Sequence, residues 1–233
     1  MAQLLHIDAS PRSNRSHSRA LTKEFVDTWL ASHPADTVAY RDVGHYPPPH
    51  VDEAWIAAAF APPEERTQQM LETLKSSDDL VDELLAADIL VIGLPMYNFG
   101  VPSSFKAYID QIVRIRRTFD FDPDDHEHPY KPLVHGKRIF VMVATGDSGY
   151  ESGGRSAELN HLDPYLRTIF GFIGVTNLTF VHVGNDEFGG ERLADSLLNA
   201  RARIAEVAST PDRLPVKGER HALIDPGFHE TAN

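Results

Sequence analysis

Along the chain, short continuous apolar runs alternate with longer stretches whose apolar positions recur every three or four residues. The first run, Leu4-Leu5-His6-Ile7-Asp8-Ala9, stops at Ser10-Pro11 and reads as a buried strand entering a loop. After it, Leu21, Phe25, Val26, Trp29 and Leu30 form a helical stripe that Ser16 or Ser18 is placed to cap. Thr37 to Tyr40 gives a second short strand. Met70, Leu71, Leu74, Val81, Leu84 and Leu85 keep helical period and stop at Asp88, where Ile89-Leu90-Val91-Ile92 begins a strand apolar on both faces. Pro102 marks a helix start ahead of Phe105, Tyr108, Ile109, Ile112 and Val113, the cleanest helical spacing in the chain. Ile139 to Val143 reads as a fourth strand and Leu178 to Val183 as a fifth. A helix near 162–170 separates them, and Leu193, Leu197, Ala200 and Ile204 supply the face of a last one.

Strand followed by helix about five times predicts an α/β fold: a parallel sheet with helices on both faces and right-handed crossovers. Such sheets bind ligands outside the carboxyl ends of their strands, where strand order reverses. Three loops are thereby singled out: Ala9 to Ser18, Leu94 to Val101 and Thr145 to Tyr150. Between 43 and 63 the composition shifts to Pro47-Pro48-Pro49, Pro62-Pro63 and the aromatics Tyr46, Trp55 and Phe60, which reads as a long exposed excursion. From about Ser209 a Pro-containing tail begins, so one domain over 1–208 with a tail over 209–233 is expected.

Composition removes whole classes of function. At 42% hydrophobic and 24% charged, the 233 residues match a soluble globular domain and not a disordered or fibrous chain. A net charge of −12 disfavours nucleic acid and anionic membranes as partners. With no cysteine there is no disulfide, no thiolate zinc site and no thiol nucleophile, so redox chemistry would need a bound cofactor. No run approaches the roughly 18 to 20 apolar residues of a membrane span, and no basic segment precedes an apolar one at the N-terminus, so a cytoplasmic location is expected. The 12 histidines are scattered. A metal module built on His126, Glu127, His128 and His135 competes poorly with a plain polar hairpin, and no metal is expected.

Each loop has a chemical reading and a plain one. Ser10 to Ser18 is rich in hydroxyls at a helix N-terminus and suits a terminal phosphate monoester, lacking the glycines of a dinucleotide fingerprint and the Gly-Lys-Ser/Thr of a P-loop. Ordinary cap and loop residues would look the same. Pro95-Met96-Tyr97-Asn98-Phe99-Gly100 crowds Met, Asn and two rings into one strand-to-helix loop, more than a simple turn needs, and could lie flat against a planar ligand. Thr145-Gly146-Asp147-Ser148-Gly149-Tyr150 offers close backbone approach or mere flexibility.

These residues together resemble the bacterial FMN-dependent NADH-azoreductases, also described as FMN-dependent NADH:quinone oxidoreductases, of the flavodoxin-like superfamily. Pro95-Met96-Tyr97-Asn98-Phe99, Ser10 with Ser16-His17-Ser18, and the run from Pro164-Tyr165-Leu166 to Phe170-Gly171-Phe172-Ile173-Gly174 carry the likeness, which extends over about 3–208. It implies a three-layer sandwich with a five-stranded sheet in the order 2-1-3-4-5. It implies FMN, its phosphate on Ser10, Ser16, His17 and Ser18 with Arg12, Arg15 and Arg19 close by, and its ring against Pro95 and Met96 to Phe99. Thr145, Gly146, Asp147 and Ser148 would meet the N1 edge through backbone N–H groups. The family has Ser-Arg-Gly-Gly there, so the acidic Asp147 is a departure. The same loop also resembles the Thr-Gly-Gly-Ser-Gly of the DT-diaphorase branch, where a Tyr and a His assist reduction, and Tyr150 and His161 correspond. The implied activity is ping-pong hydride transfer from NADH or NADPH through FMN to quinones and azo compounds. A homodimer is also implied, with Trp55, Phe60 and Phe119 as partner-facing aromatics. The competing reading is a flavodoxin-type FMN electron carrier with no nicotinamide reductase activity.

Overall fold

The computed structural model describes residues 1–209. The expected tail, beyond its first residue, lies outside the described residues. Five parallel strands form the main sheet: β1 (Gln3–Asp8), β2 (Thr37–Asp42), β3 (Ile89–Pro95), β6 (Arg138–Ala144) and β7 (Asn177–Val183). Their order is β2-β1-β3-β6-β7, which is 2-1-3-4-5 when the sheet's own strands are counted. Strands β4 (Phe119–Phe121) and β5 (Tyr130–Pro132) form a separate antiparallel hairpin within the polar stretch before β6.

The two-residue alternation of strand side chains sorts the apolar runs into two cores. Leu5, Ile7, Leu90, Ile92, Ile139, Val141 and Val143 point to one face. There they meet α3 (Gln68–Ala86), α4 (Ser103–Ile112) and α5 (Leu162–Ile173) through Leu80, Leu84, Phe105, Ile109 and Phe170. Leu4, Val91, Phe140 and Met142 point the other way, onto Leu21, Phe25 and Trp29 of α1 (His17–Ser32) and Ile204 of α6 (Gly190–Ser209). Each fully buried Leu or Ile contributes about 1.5–3 kcal/mol, so the central strands are the rigid frame from which the loops emerge. Gly174 ends α5 at φ 109°, a left-handed position where a side chain would also meet the Val134 carbonyl.

The proline-rich excursion is not the exposed loop the sequence suggests. It contains α2 (Glu53–Phe60), capped by the Asp52 side chain, and a 3₁₀ turn at Pro63–Glu65. Trp55 is buried with Ala58, Ala59 and Leu74, and its indole N–H donates to Gln111 Oε1 at 2.9 Å, while Gln111 Nε2 donates to the Pro49 carbonyl. Of the three aromatics expected to face a partner, Trp55 and Phe119 are therefore interior residues of this chain, and only Phe60 is exposed. Both rings find partners within the chain: α2 gives the indole a local core to enter, and the Phe119 ring packs 5.0 Å from Phe172. Among the described residues no helix is long and apolar enough to cross a membrane.

Candidate cofactor site

The carboxyl end of β1 hands the chain to a tight loop. Buried Ser10 accepts the Arg12 N–H on its hydroxyl at 3.2 Å, turning the backbone toward α1. Ser16 is the N-cap, its hydroxyl accepting the Arg19 N–H at 3.4 Å, and Ser16 Oγ lies 3.2 Å from Ser18 Oγ. The first N–H groups of α1, those of His17 and Ser18, have no partner within the helix. They open with the two buried hydroxyls on one hollow, a neutral donor set suited to an anion at the positive end of the helix dipole.

A charge network holds this loop from below. The Arg19 guanidinium donates to both oxygens of Asp42 (2.6 and 2.8 Å), twice to the Ser10 carbonyl (2.6 and 3.0 Å) and to Tyr40 Oη, and it lies 3.4 Å from Asp8. The Tyr40 and Thr22 hydroxyls donate to Asp8. Burial would raise the Asp42 carboxyl, but Arg19 and the His45 N–H hold it far below the ordinary carboxylate range. Burial and the Asp8 charge push Tyr40 up to about 12, so it remains a donor at any physiological pH. Arg19 thus faces away from the hollow. Its proximity in sequence to the serines suggests a phosphate ligand, yet its charge is taken up by Asp42 and Asp8.

Across the hollow, Met96 N–H donates to the Ala144 carbonyl at 2.8 Å, joining the ends of β3 and β6. Tyr97 and Gly100 then exchange two backbone hydrogen bonds of 3.0 Å around Asn98 and Phe99, both left-handed at φ 47° and 68°. Both central residues at positive φ is the type I′ hairpin geometry, which Asn tolerates and Phe does not. Phe99 is nevertheless kept there and is 44% exposed, a strained position that presents an aromatic surface. Phe99→Gly is expected to raise stability by about 1 kcal/mol in urea unfolding, while removing that surface.

The loop after β6 places Thr145 and Gly146 on the hollow but turns Asp147 and Ser148 outward, into an adjoining polar groove with Arg155 and Arg192. The Ser148 N–H and the Arg155 guanidinium, at 2.7 and 2.6 Å, keep Asp147 ionised below the usual carboxylate range. Arg155, eight residues on, therefore sets a positive charge against Asp147 in this loop. Thr145 N–H donates to the Val183 carbonyl, and Ser148 N–H is taken by Asp147, which leaves Gly146 and Asp147 as the available backbone donors.

The structure thus gathers Ser10, Ser16, His17, Ser18, Pro95, Met96, Tyr97, Thr145 and Gly146 around one hollow, with Asn98 and Phe99 in the turn beyond Tyr97. Tyr150 and His161 come beside Phe99 and do not line the hollow: the Tyr150 ring centroid is 6.4 Å from that of Phe99, and the His161 N–H donates to the Phe99 carbonyl at 3.0 Å. His126 and His128 are exposed on the hairpin, and among the described residues no three His, Asp or Glu side chains converge as a metal site would need. Two residues of the hollow carry no sequence signal. Asp186 and Glu187, in the loop after β7, line it as well, with Asp186 bonded to His17 and Arg12.

A model of the flavodoxin-like fold matches residues 2–208. The chain is 52% identical over 206 residues to an FMN-dependent NADH:quinone oxidoreductase of Nostoc punctiforme, covering 88% of this chain and 98% of that one. It is 46% identical over 209 residues to an FMN-dependent NAD(P)H:quinone oxidoreductase of Pseudomonas aeruginosa, covering 89% and 99%. Among solved structures, an azoreductase from Bacillus anthracis superposes with a TM-score of 0.79 at 25% identity, covering 89% of this chain and 99% of that one.

Proposed function

Because the chain belongs to the flavodoxin-like fold family, and within it to the FMN-dependent NADH:quinone oxidoreductases, we propose that it is an FMN-dependent NAD(P)H oxidoreductase that reduces quinones by two electrons and cleaves aromatic azo compounds. One observation carries the reading. Buried Ser16 and Ser18 hydroxyls beside unpaired α1 N–H groups share a hollow with the Met96-Tyr97 and Thr145-Gly146 backbones, as a phosphate monoester joined to a flat ring requires. FMN, when bound, would supply the hydride chemistry that links the nicotinamide to the acceptor.

The protein's part is binding and orientation. Ser10, Ser16 and Ser18, with the His17 and Ser18 N–H groups, hold the phosphate. Pro95 and the segment from Met96 to Phe99 support the ring. The Gly146 and Asp147 N–H groups are the donors left to stabilise negative charge at its edge. Asp147 and Ser148 shape that loop from its outer side. Tyr150 and His161, beside Phe99, are assigned to assist reduction of the acceptor. The catalytic unit spans 1–208, acts in the cytoplasm and pairs as a homodimer with Phe60 at the interface. Monomeric elution of a fully active protein would defeat the pairing.

The reading is tested by purifying the protein with FMN and adding NADH or NADPH without oxygen. Loss of the yellow colour, and its return on adding a quinone, is the expected result. Yellow protein that does not bleach would identify an electron carrier, and protein that takes up no FMN would overturn the cofactor.

A further inference from the structure

The pairing of Asp186 crosses the candidate site. Arg12 follows β1 and Asp186 follows β7, and β3 and β6 lie between those strands in the sheet. At about 4.8 Å per strand the two loops are rooted some 14 Å apart along the carboxyl edge, yet their side chains meet over it. Asp186 Oδ2 accepts from Arg12 Nη1 at 2.8 Å, and Asp186 Oδ1 lies 3.1 Å from His17 Nε2. Its own N–H is bonded to the Thr145 carbonyl at 3.3 Å, which fixes the loop on the opposite bank. Arg12 and His17 both line the hollow with Ser16 and Ser18. A carboxylate with one oxygen on each of two side chains makes the same demand on them as two oxygens of a phosphate would.

We propose that Asp186 is a built-in competitor of the cofactor's phosphate, its carboxylate engaging the Arg12 and His17 side chains that the phosphate would otherwise take. The inference rests on the FMN reading above and adds a residue that sets how tightly the phosphate end is held. The charges of the hollow support it. Asp186 and Glu187 oppose Arg12 and Arg15 there, so the two carboxylates offset the side-chain positive charge that would otherwise add to the helix N-terminus in drawing in a dianion.

The test compares FMN with riboflavin, which has the same ring and sugar chain but no phosphate. Binding to cofactor-free protein is read from quenching of flavin fluorescence, with no nicotinamide present. In Asp186→Asn, FMN affinity is expected to rise about tenfold while riboflavin affinity is unchanged. Asp186→Ser, which removes the same charge with a different side chain, should agree. Equal shifts for both flavins would mean that Asp186 only shapes the loop, and unchanged or weakened FMN binding would mean that it does not compete; either overturns the proposal. A wild-type chain that binds neither flavin removes the FMN reading itself, and this inference with it.

Discussion

Arg19→Met lowers stability by about 3 kcal/mol at neutral pH, and by much less near pH 3. The magnitude follows from what the guanidinium leaves behind. Asp8 and Asp42 are 5% and 13% exposed on their side chains and would face each other without a cation, while the Ser10 carbonyl loses two donors. Removing one partner of a largely buried ion pair costs about 3–5 kcal/mol, most of it from the charge stranded in the interior. The pH dependence follows from the direction of the carboxylate shifts. Burial opposes ionisation of Asp8 and Asp42, but His6, Thr22 and Arg19 at the first and Arg19 and His45 at the second win, so both sit below their unfolded values. Such groups contribute stability that is fully present above the unfolded carboxylate range, near pH 4, and lost as pH falls toward the folded value. Without Arg19 the two carboxylates repel, and acid relieves the repulsion. Wild type therefore loses stability in acid faster than the variant does. Urea unfolding of both proteins at pH 7 and pH 3 measures the difference, and an equal gap at the two pH values would show that the network contributes packing rather than charge.

That network marks where sequence reading stops. The strands and most helices are legible because the apolar runs carry their period; the alternation implies a parallel sheet, and its strand order follows from the family likeness alone. Pro95 to Phe99 stands out in the sequence because a Met, an Asn and two rings crowd one strand-to-helix loop, and the structure sets Pro95, Met96 and Tyr97 of it on the hollow. The charged groups beneath and across the site are not legible. Arg19 and Asp42 are 23 positions apart, and Arg12 and Asp186 are 174 apart. No local pattern ties either pair, and a guanidinium near three serines looks the same whether it faces the ligand or the carboxylate behind it. Trp55 misled for a related reason: prolines on both sides signal a loop, and only tertiary contact with Leu74 and Gln111 shows the indole to be core.

Gly44→Ala weakens FMN binding about a hundredfold and lowers the melting temperature by several degrees, although Gly44 belongs to no site motif. The residue follows β2, where Val43 N–H and Gly44 N–H both donate to the Asp8 carbonyl, at 2.9 and 3.1 Å. This draws the chain directly beneath the β1 loop. A Cβ on Gly44 would lie 2.6 Å from the Ser10 carbonyl carbon and 2.9 Å from that of Ala9. Both obstacles are backbone, so no side chain can swing aside. The Ser10 carbonyl is also clamped by two Arg19 donors, and Gly44 N–H by Asp42 Oδ1 at 3.1 Å, so the strain passes to the loop that carries Ser10. Overpacking of this kind costs about 1–3 kcal/mol, or roughly 2–4 °C per kcal/mol for a chain of this size. The effect on binding is larger because a shift near 1 Å spoils several hydrogen bonds to one phosphate together. Gly100→Ala is the matched control: it lies in the aromatic loop itself, yet an added Cβ meets nothing within 4 Å. Calorimetry and flavin fluorescence on both variants separate the two glycines. If Gly44→Ala bound FMN as wild type does, Ser10 would not belong to the phosphate cradle, because its backbone cannot stay in place beside that methyl group.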